Sequence, residues 1–217
     1  MLLYYITDRK GFAGTDAEQR IKLLRKIGEA ARAGVDYVQL REKDLHAHDL
    51  EQLACEALRA VRTNSRITKL LINSRAHVAL ACGADGVHLP SGEPAAREIR
   101  RLWNRCCDRE PLIGVSAHSA ADLREAENQG ASFAVLAPIF EKVQTNTKGI
   151  GLDVLRDACS RLQREAAASS RPIPVLALGG VNLANARACL EAGAAGVAGI
   201  RLFQSGDIFE TVRQLRE

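Results

Sequence analysis

Cys82-Gly83-Ala84-Asp85-Gly86-Val87 closes an amphipathic stretch with a glycine and opens a short apolar run. A glycine just past the last helical turn takes the left-handed conformation without steric cost, and the apolar run beyond it reads as a buried strand. The same joint recurs at Ala33-Gly34-Val35-Asp36-Tyr37-Val38, Gln129-Gly130-Ala131-Ser132-Phe133-Ala134 and Ala192-Gly193-Ala194-Ala195-Gly196-Val197. A helix–glycine–strand joint returning about every 50 to 60 residues, roughly two βα units apart, predicts a closed ring of parallel strands.

Working outward from the joints, strands are expected at 2–6, 36–40, 69–72, 85–88, 112–115, 133–137, 173–178 and 195–200. Helical patterns lie at 16–33, 46–62, 75–82, 94–105, 119–129, 151–165, 182–192 and 207–216, with polar or Gly/Pro punctuation at most junctions. The strands are nearly all apolar, as strands covered on both faces are. This is the α/β pattern of a (β/α)8 TIM barrel, a single domain over residues 1–217. An open doubly wound sheet is the alternative, but it has no reason to prefer eight units. The longer, more polar loops at 7–16 and 138–150 follow the first and sixth strands, where barrel loops cover the active-site mouth.

With 217 residues, 47% of them hydrophobic, the chain can bury one large core. Its 30 Lys and Arg against 26 Asp and Glu leave a net charge of +4, spread without a basic run. That argues against nucleic acid and is compatible with a small anionic substrate. Six cysteines without CxxC or Cys/His ligand spacing predict a reduced, cytoplasmic protein, and no apolar stretch is long enough to span a membrane.

The strand ends carry the candidate chemistry. Gln39 and Arg41 fall on one face at the end of the second strand, with Lys43 just beyond. Two cations at a barrel rim suit a phosphate or pyrophosphate; the other reading is a rim salt bridge to Glu42. Asn73 is placed to hold a substrate oxygen, or else it or Ser74 caps the next helix. His88 is a ligand, an acid or a hydrogen-bonded core histidine. Ser116 and His118 offer a hydroxyl and an imidazole for an anion or a proton shuttle, or a helix cap ahead of Ala120. Thr145, Thr147 and Lys148 compose a loop able to fold over a phosphate, or an ordinary solvated loop. Gly179 and Gly180 end the seventh strand and Ile200-Arg201 the eighth, the pair of loops that often binds phosphate in barrels.

In order, Tyr5-Ile6-Thr7-Asp8, Val38 to Lys43, Leu71-Ile72-Asn73, Gly86-Val87-His88-Leu89, Ile113 to His118, Pro138-Ile139-Phe140, Thr145 to Lys148 and Leu178-Gly179-Gly180 resemble the thiamine phosphate synthase family, whose close relatives are the thiazole tautomerases. The resemblance implies condensation of an aminomethylpyrimidine pyrophosphate with a thiazole phosphate, small phosphorylated heterocycles being the partners. It implies that Gln39, Arg41, Lys43, Asn73, Ser116 and Lys148 bind the pyrimidine pyrophosphate. Thr145, Thr147, Gly180 and Ile200-Arg201 would bind the thiazole phosphate, and Arg41, Lys43, Ser116, His118 and Lys148 would act in catalysis. The family's synthases hold Mg²⁺ on two Asp residues, where this chain has Ser74 and Glu93. A neutral Ser is the weaker ligand for a hard cation. Arg201 stands in place of a small Ser, and the Thr145–Lys148 element lies a few residues further from Phe140 than in the family. Leu89-Pro90-Ser91-Gly92 is more similar to the tautomerase branch, in which a His at the position of His118 shuttles a proton. An isomerase is therefore the alternative reading, and a non-catalytic phosphate-binding relative a third.

Overall fold

A computed structural model describes residues 1–91, 95–141, 148–165 and 172–217. Eight strands, β1 (Leu2–Ile6), β2 (Tyr37–Leu40), β3 (Lys69–Asn73), β4 (Gly86–Leu89), β5 (Leu112–Ala117), β6 (Phe133–Leu136), β7 (Val175–Ala177) and β8 (Gly196–Gly199), form the barrel. They pair in parallel and in chain order, with β8 returning to β1, so the ring is closed. Outside lie α1 (Asp16–Ala33), α2 (Ala47–Asn64), α3 (Ala76–Cys82), α4 (Ala96–Cys106), α5 (Ala120–Asn128), α6 (Leu152–Glu165), α7 (Ala186–Glu191), α8 (Arg201–Gln204) and α9 (Ile208–Arg216). No described helix is long and apolar enough to cross a membrane.

The four glycine joints are built alike. Gly34, Gly83, Gly130 and Gly193 have φ of 91°, 75°, 76° and 95°. In each, the next residue's N–H reaches five residues back: Val35 to Ala30, Ala84 to Ala79, Ala131 to Ala126 and Ala194 to Cys189. This Schellman closure satisfies the helix's last carbonyls and turns the chain straight into a strand.

Two sets of side chains fill the molecule. One packs between the strands and the helix shell. A smaller one, including Tyr4, Ile6, Leu71, Phe133, Val135, Leu176 and Ala198, fills the barrel. Phe133 stacks on Tyr37 with ring centroids 5.0 Å apart and meets Tyr4 edge-on at 5.3 Å. Gly114 makes this possible, because a Cβ there would clash with the Phe133 ring and lie 2.8 Å from His88 Nδ1.

Most boundaries shift by one or two residues, and three differences from expectation have a clear physical cause. β7 is shorter than 173–178 because Pro174 has no N–H for the ladder and contributes only its carbonyl, to Ala134. α7 starts later than 182 because the Asn182 side chain accepts from the N–H groups of Ala184 and Asn185 and holds a turn there. α8 was not anticipated, its four residues being too few to show a period.

Candidate active site

The end of β2 is held from beneath by the loop after β1. Thr7 is fully buried; its Oγ1 accepts from the Arg41 N–H at 3.0 Å and donates to Glu42 Oε1 at 2.6 Å. The buried Arg9 gives its backbone N–H to Glu42 at 3.1 Å and grips Asp44 through two bonds of 2.7 and 2.8 Å, with Asp16 at 2.7 Å. Burial raises the Glu42 carboxyl above its ordinary range, against the pull of Thr7 and Arg9; the Arg9 guanidinium holds Asp44 far below its own. In the other reading of this rim, Glu42 pairs with Arg41 or Lys43. Its oxygens instead belong to Thr7 and Arg9, so both rim cations are without an ion pair among the described residues. Gln204 of α8 ties down the same loop: it accepts from the Tyr5 hydroxyl at 2.9 Å and donates to the Asp8 carbonyl at 2.6 Å.

Inside the mouth, hydrogen bonds connect β2, β1, β4 and β5. Gln39 Nε2 donates to the Tyr4 hydroxyl at 2.8 Å; that hydroxyl lies 3.2 Å from His88 Nδ1, and His88 Nε2 lies 2.9 Å from Ser116 Oγ. Register brings them together, because His88 sits opposite Gly114 and Gln39 opposite Ile6. Burial, and then the charge of Arg41, pushes His88 down to about 3. His88 is therefore the hydrogen-bonded interior histidine and a poor proton donor near neutrality.

A cavity of about 350 Å³ is lined by Glu42, Lys43, Asn73, Ser74, Arg75 and Pro90. Ser74 has φ 66°, the one non-glycine positive value among the described residues, and its N–H bonds the His88 carbonyl at 2.8 Å. Neither Asn73 nor Ser74 caps α3, whose N-cap is Arg75 without a side-chain bond. A neighbouring cavity of about 310 Å³ shares Pro90 and is lined by Ser91, Ser116, His118 and Asp122. Exposed His118 has Nδ1 2.8 Å from the Ala137 carbonyl, to which it donates. The cap of α5 is Ser119, in a capping box with Asp122, so the cap reading of Ser116 and His118 fails.

The loops after β6 and β7 pack together. Phe140 donates its N–H to Gly179 at 2.9 Å, and a Cβ on Gly180 would fall 2.6 Å from the Phe140 Cβ. Gly179 and Gly180, at φ 96° and 69°, thus permit a close backbone approach at the mouth. Lys148 is exposed at the far end of the β6 loop, and Arg201 is exposed as the first residue of α8, with Ile200 its N-cap. Glu93, Thr145 and Thr147 lie outside the described residues.

The described donors do not by themselves fit Mg²⁺. Among them no three His, Cys, Asp or Glu gather to hold a metal, Ser74 offers a neutral hydroxyl, and the carboxylate of its cavity, Glu42, is spent on Thr7 and Arg9. Sequence reasoning missed Tyr4, Thr7, Arg9 and Gln204. Tyr4 reads as one more apolar strand residue, and the partners of the other three are distant in the chain.

Fold and site together define a (β/α)8 enzyme whose mouth carries cations, amides and hydroxyls at the carboxyl ends of its strands. The family profile described as "Thiamine monophosphate synthase" matches residues 3–203. Over 202 residues the chain is 38% identical to "Putative thiamine-phosphate synthase 2" of Aquifex aeolicus, covering 93% of this chain and 96% of that one. It is 41% identical over 199 residues to "Putative thiamine-phosphate synthase" of Geobacter sulfurreducens, covering 90% and 83%. The thiamine phosphate pyrophosphorylase structure from Pyrococcus furiosus superposes with a TM-score of 0.78 at 27% identity, covering 99% and 93%. The chain belongs to the thiamine monophosphate synthase family. Its activity is thiamine-phosphate synthesis, a transferase reaction of thiamine biosynthesis.

Proposed function

We propose that the mouth binds an aminomethylpyrimidine pyrophosphate and a thiazole phosphate side by side and transfers the pyrimidine methylene to the thiazole nitrogen. The family acts on phosphorylated pyrimidine and thiazole substrates. The observation that carries the assignment of roles is the pair Arg41 and Lys43, held at the rim while Arg9 and Thr7 keep the adjacent carboxylate away from them.

The bond from methylene to pyrophosphate oxygen breaks, and its electron pair leaves with pyrophosphate. The lone pair of the thiazole nitrogen then forms the new carbon–nitrogen bond. Negative charge gathers on the leaving oxygens as the first bond lengthens, so Arg41, Lys43 and Lys148 favour the transition state over the bound substrate. Asn73 and the Ser116 hydroxyl hold pyrophosphate oxygens, and Gln39 holds the ring edge. Gly179, Gly180 and Ile200-Arg201, with Thr145 and Thr147, take the thiazole phosphate. The family typically uses Mg²⁺. Since the described donors do not fit that ion, no step is assigned to it.

The test is release of pyrophosphate by the purified chain given both substrates across a Mg²⁺ series. Turnover is expected, with kcat falling roughly a hundredfold in Arg41→Ala, the scale for losing one transition-state charge partner. Absence of turnover at every Mg²⁺ concentration rejects the reading. Proton exchange into the thiazole phosphate without metal or pyrimidine, abolished in His118→Ala, would replace it with the isomerase.

A further inference from the structure

Methylene transfer makes no use of two buried hydrogen-bonding groups of the barrel interior, the Tyr4 hydroxyl and the His88 ring. They are the middle of the chain Gln39–Tyr4–His88–Ser116, whose contacts are 2.8, 3.2 and 2.9 Å. No carboxylate bonds either of them among the described residues, so each has one proton to give.

Two proton orders satisfy every contact and also give the Tyr4 proton an acceptor. In the first, Gln39 Nε2 donates to Tyr4, Tyr4 donates to Nδ1, and Nε2–H donates to Ser116, leaving the serine proton free for a ligand. In the second the amide is turned over: Ser116 donates to Nε2, Nδ1–H donates to Tyr4, and Tyr4 donates to the Gln39 carbonyl oxygen. A mixture sets two lone pairs or two protons against each other, or leaves the buried Tyr4 proton without an acceptor, and each is costly in a dry interior. The ends are therefore coupled. Where Ser116 offers a donor, Gln39 offers its carbonyl oxygen; where Ser116 offers an acceptor, Gln39 offers only N–H. Gln39 Oε1 accepts no bond from the described residues, while its Nε2 is engaged by Tyr4. That oxygen is the acceptor the side chain has to offer a ligand.

We propose that this proton order is a specificity device, with Tyr4 and His88 as positioning residues. An anionic oxygen on Ser116 requires the serine to donate, which fixes the first order and presents the Gln39 carbonyl oxygen. The site then accepts a heterocycle with an exocyclic amine at that edge and refuses one with a carbonyl. This rests on the reading that Gln39 and Ser116 face one pyrimidine pyrophosphate.

Calorimetry on the full chain, without thiazole, compares the aminopyrimidine pyrophosphate with its oxo counterpart. The wild type is expected to favour the amine by about tenfold or more, the scale of one unsatisfied buried hydrogen bond. Tyr4→Phe keeps the ring but removes the proton, lets Gln39 turn over, and brings the preference to within about twofold. Should that variant fail to fold, His88→Gln, whose amide both accepts and donates, keeps the preference, and His88→Leu loses it. An unchanged preference in Tyr4→Phe or His88→Leu overturns the proposal, because a merely structural role weakens both ligands alike. In the protein saturated with inorganic pyrophosphate, whose anionic oxygen requires Ser116 to donate, ¹⁵N resonances should show His88 as the Nε2–H tautomer, and the Nδ1–H tautomer overturns the proposal. If neither pyrimidine binds while that tautomer is found, it is the synthase reading that fails.

Discussion

Ser74 occupies a backbone position suited to the residue it lacks. Its φ of 66° lies in the left-handed region, where Asp and Asn are enriched among non-glycine residues. Ser74→Asp should therefore fold without added strain and place a carboxylate in the cavity shared with Lys43 and Asn73. The expected result is an increase of about tenfold in Mg²⁺ affinity in the presence of pyrophosphate, followed by metal titration at fixed pyrophosphate. A Mg²⁺ midpoint equal to wild type would show that residue 74 is no ligand position. Glu42 gives the second prediction at this scale. In Glu42→Gln the Arg9 N–H and the Thr7 hydroxyl compete for one remaining oxygen, and stability to urea should fall by about 1–3 kcal/mol. Arg41 and Lys43 were legible as rim cations because strand alternation is local. The capture of Glu42 by Arg9 was not, because it joins the ends of two different strands, 33 residues apart.

At the scale of elements, the glycine joint is more elaborate than its sequence shows. The residue two beyond the glycine exchanges bonds with the preceding strand. Asp36 N–H reaches the Leu3 carbonyl while its carboxylate takes the Leu3 N–H at 2.8 Å; Asp85 does the same with Leu70 at 2.9 Å, and Ser132 with Ile113 at 3.0 Å. Ala195 keeps the backbone half alone. The glycine and the apolar run were readable because helix termination and burial leave local patterns. The polar residue between them was not, because its partner is a strand N–H known only after the ring closes. Asp85→Ala should cost about 1–3 kcal/mol in urea denaturation through the orphaned Leu70 N–H. The half-exposed cations Arg62, Lys69 and Arg109 around Asp85 add little to that figure. Gly83→Ala, with open space for its Cβ but φ at +75°, should cost about 1–2 kcal/mol from backbone strain alone.

Across the whole molecule, the barrel interior is held together by aromatic rings and neutral hydrogen bonds, and this determines how stability responds to acid. His88 is flanked by Tyr4, Ser116, Phe133 and the backbone of Gly114, with Arg41 the charge it feels. Its folded-state value of about 3 lies below the ordinary 6.5, so between these values the unfolded chain binds the extra proton. Stability from this source is complete above 6.5 and is lost as pH falls toward about 3. Glu42 acts in the opposite sense: burial raises its carboxyl above 4.5, so just above that value the folded state binds the extra proton. Asp44, held far below its ordinary 3.8, contributes stability that disappears only in stronger acid. Urea midpoints taken from about pH 6.5 to about pH 4.5 should therefore fall in the wild type, with His88 accounting for about 2 kcal/mol. His88→Gln, which removes the titrating group and keeps the bonds to Tyr4 and Ser116, should flatten that slope. An equal slope in the two proteins would show that His88 is not the source of the acid sensitivity.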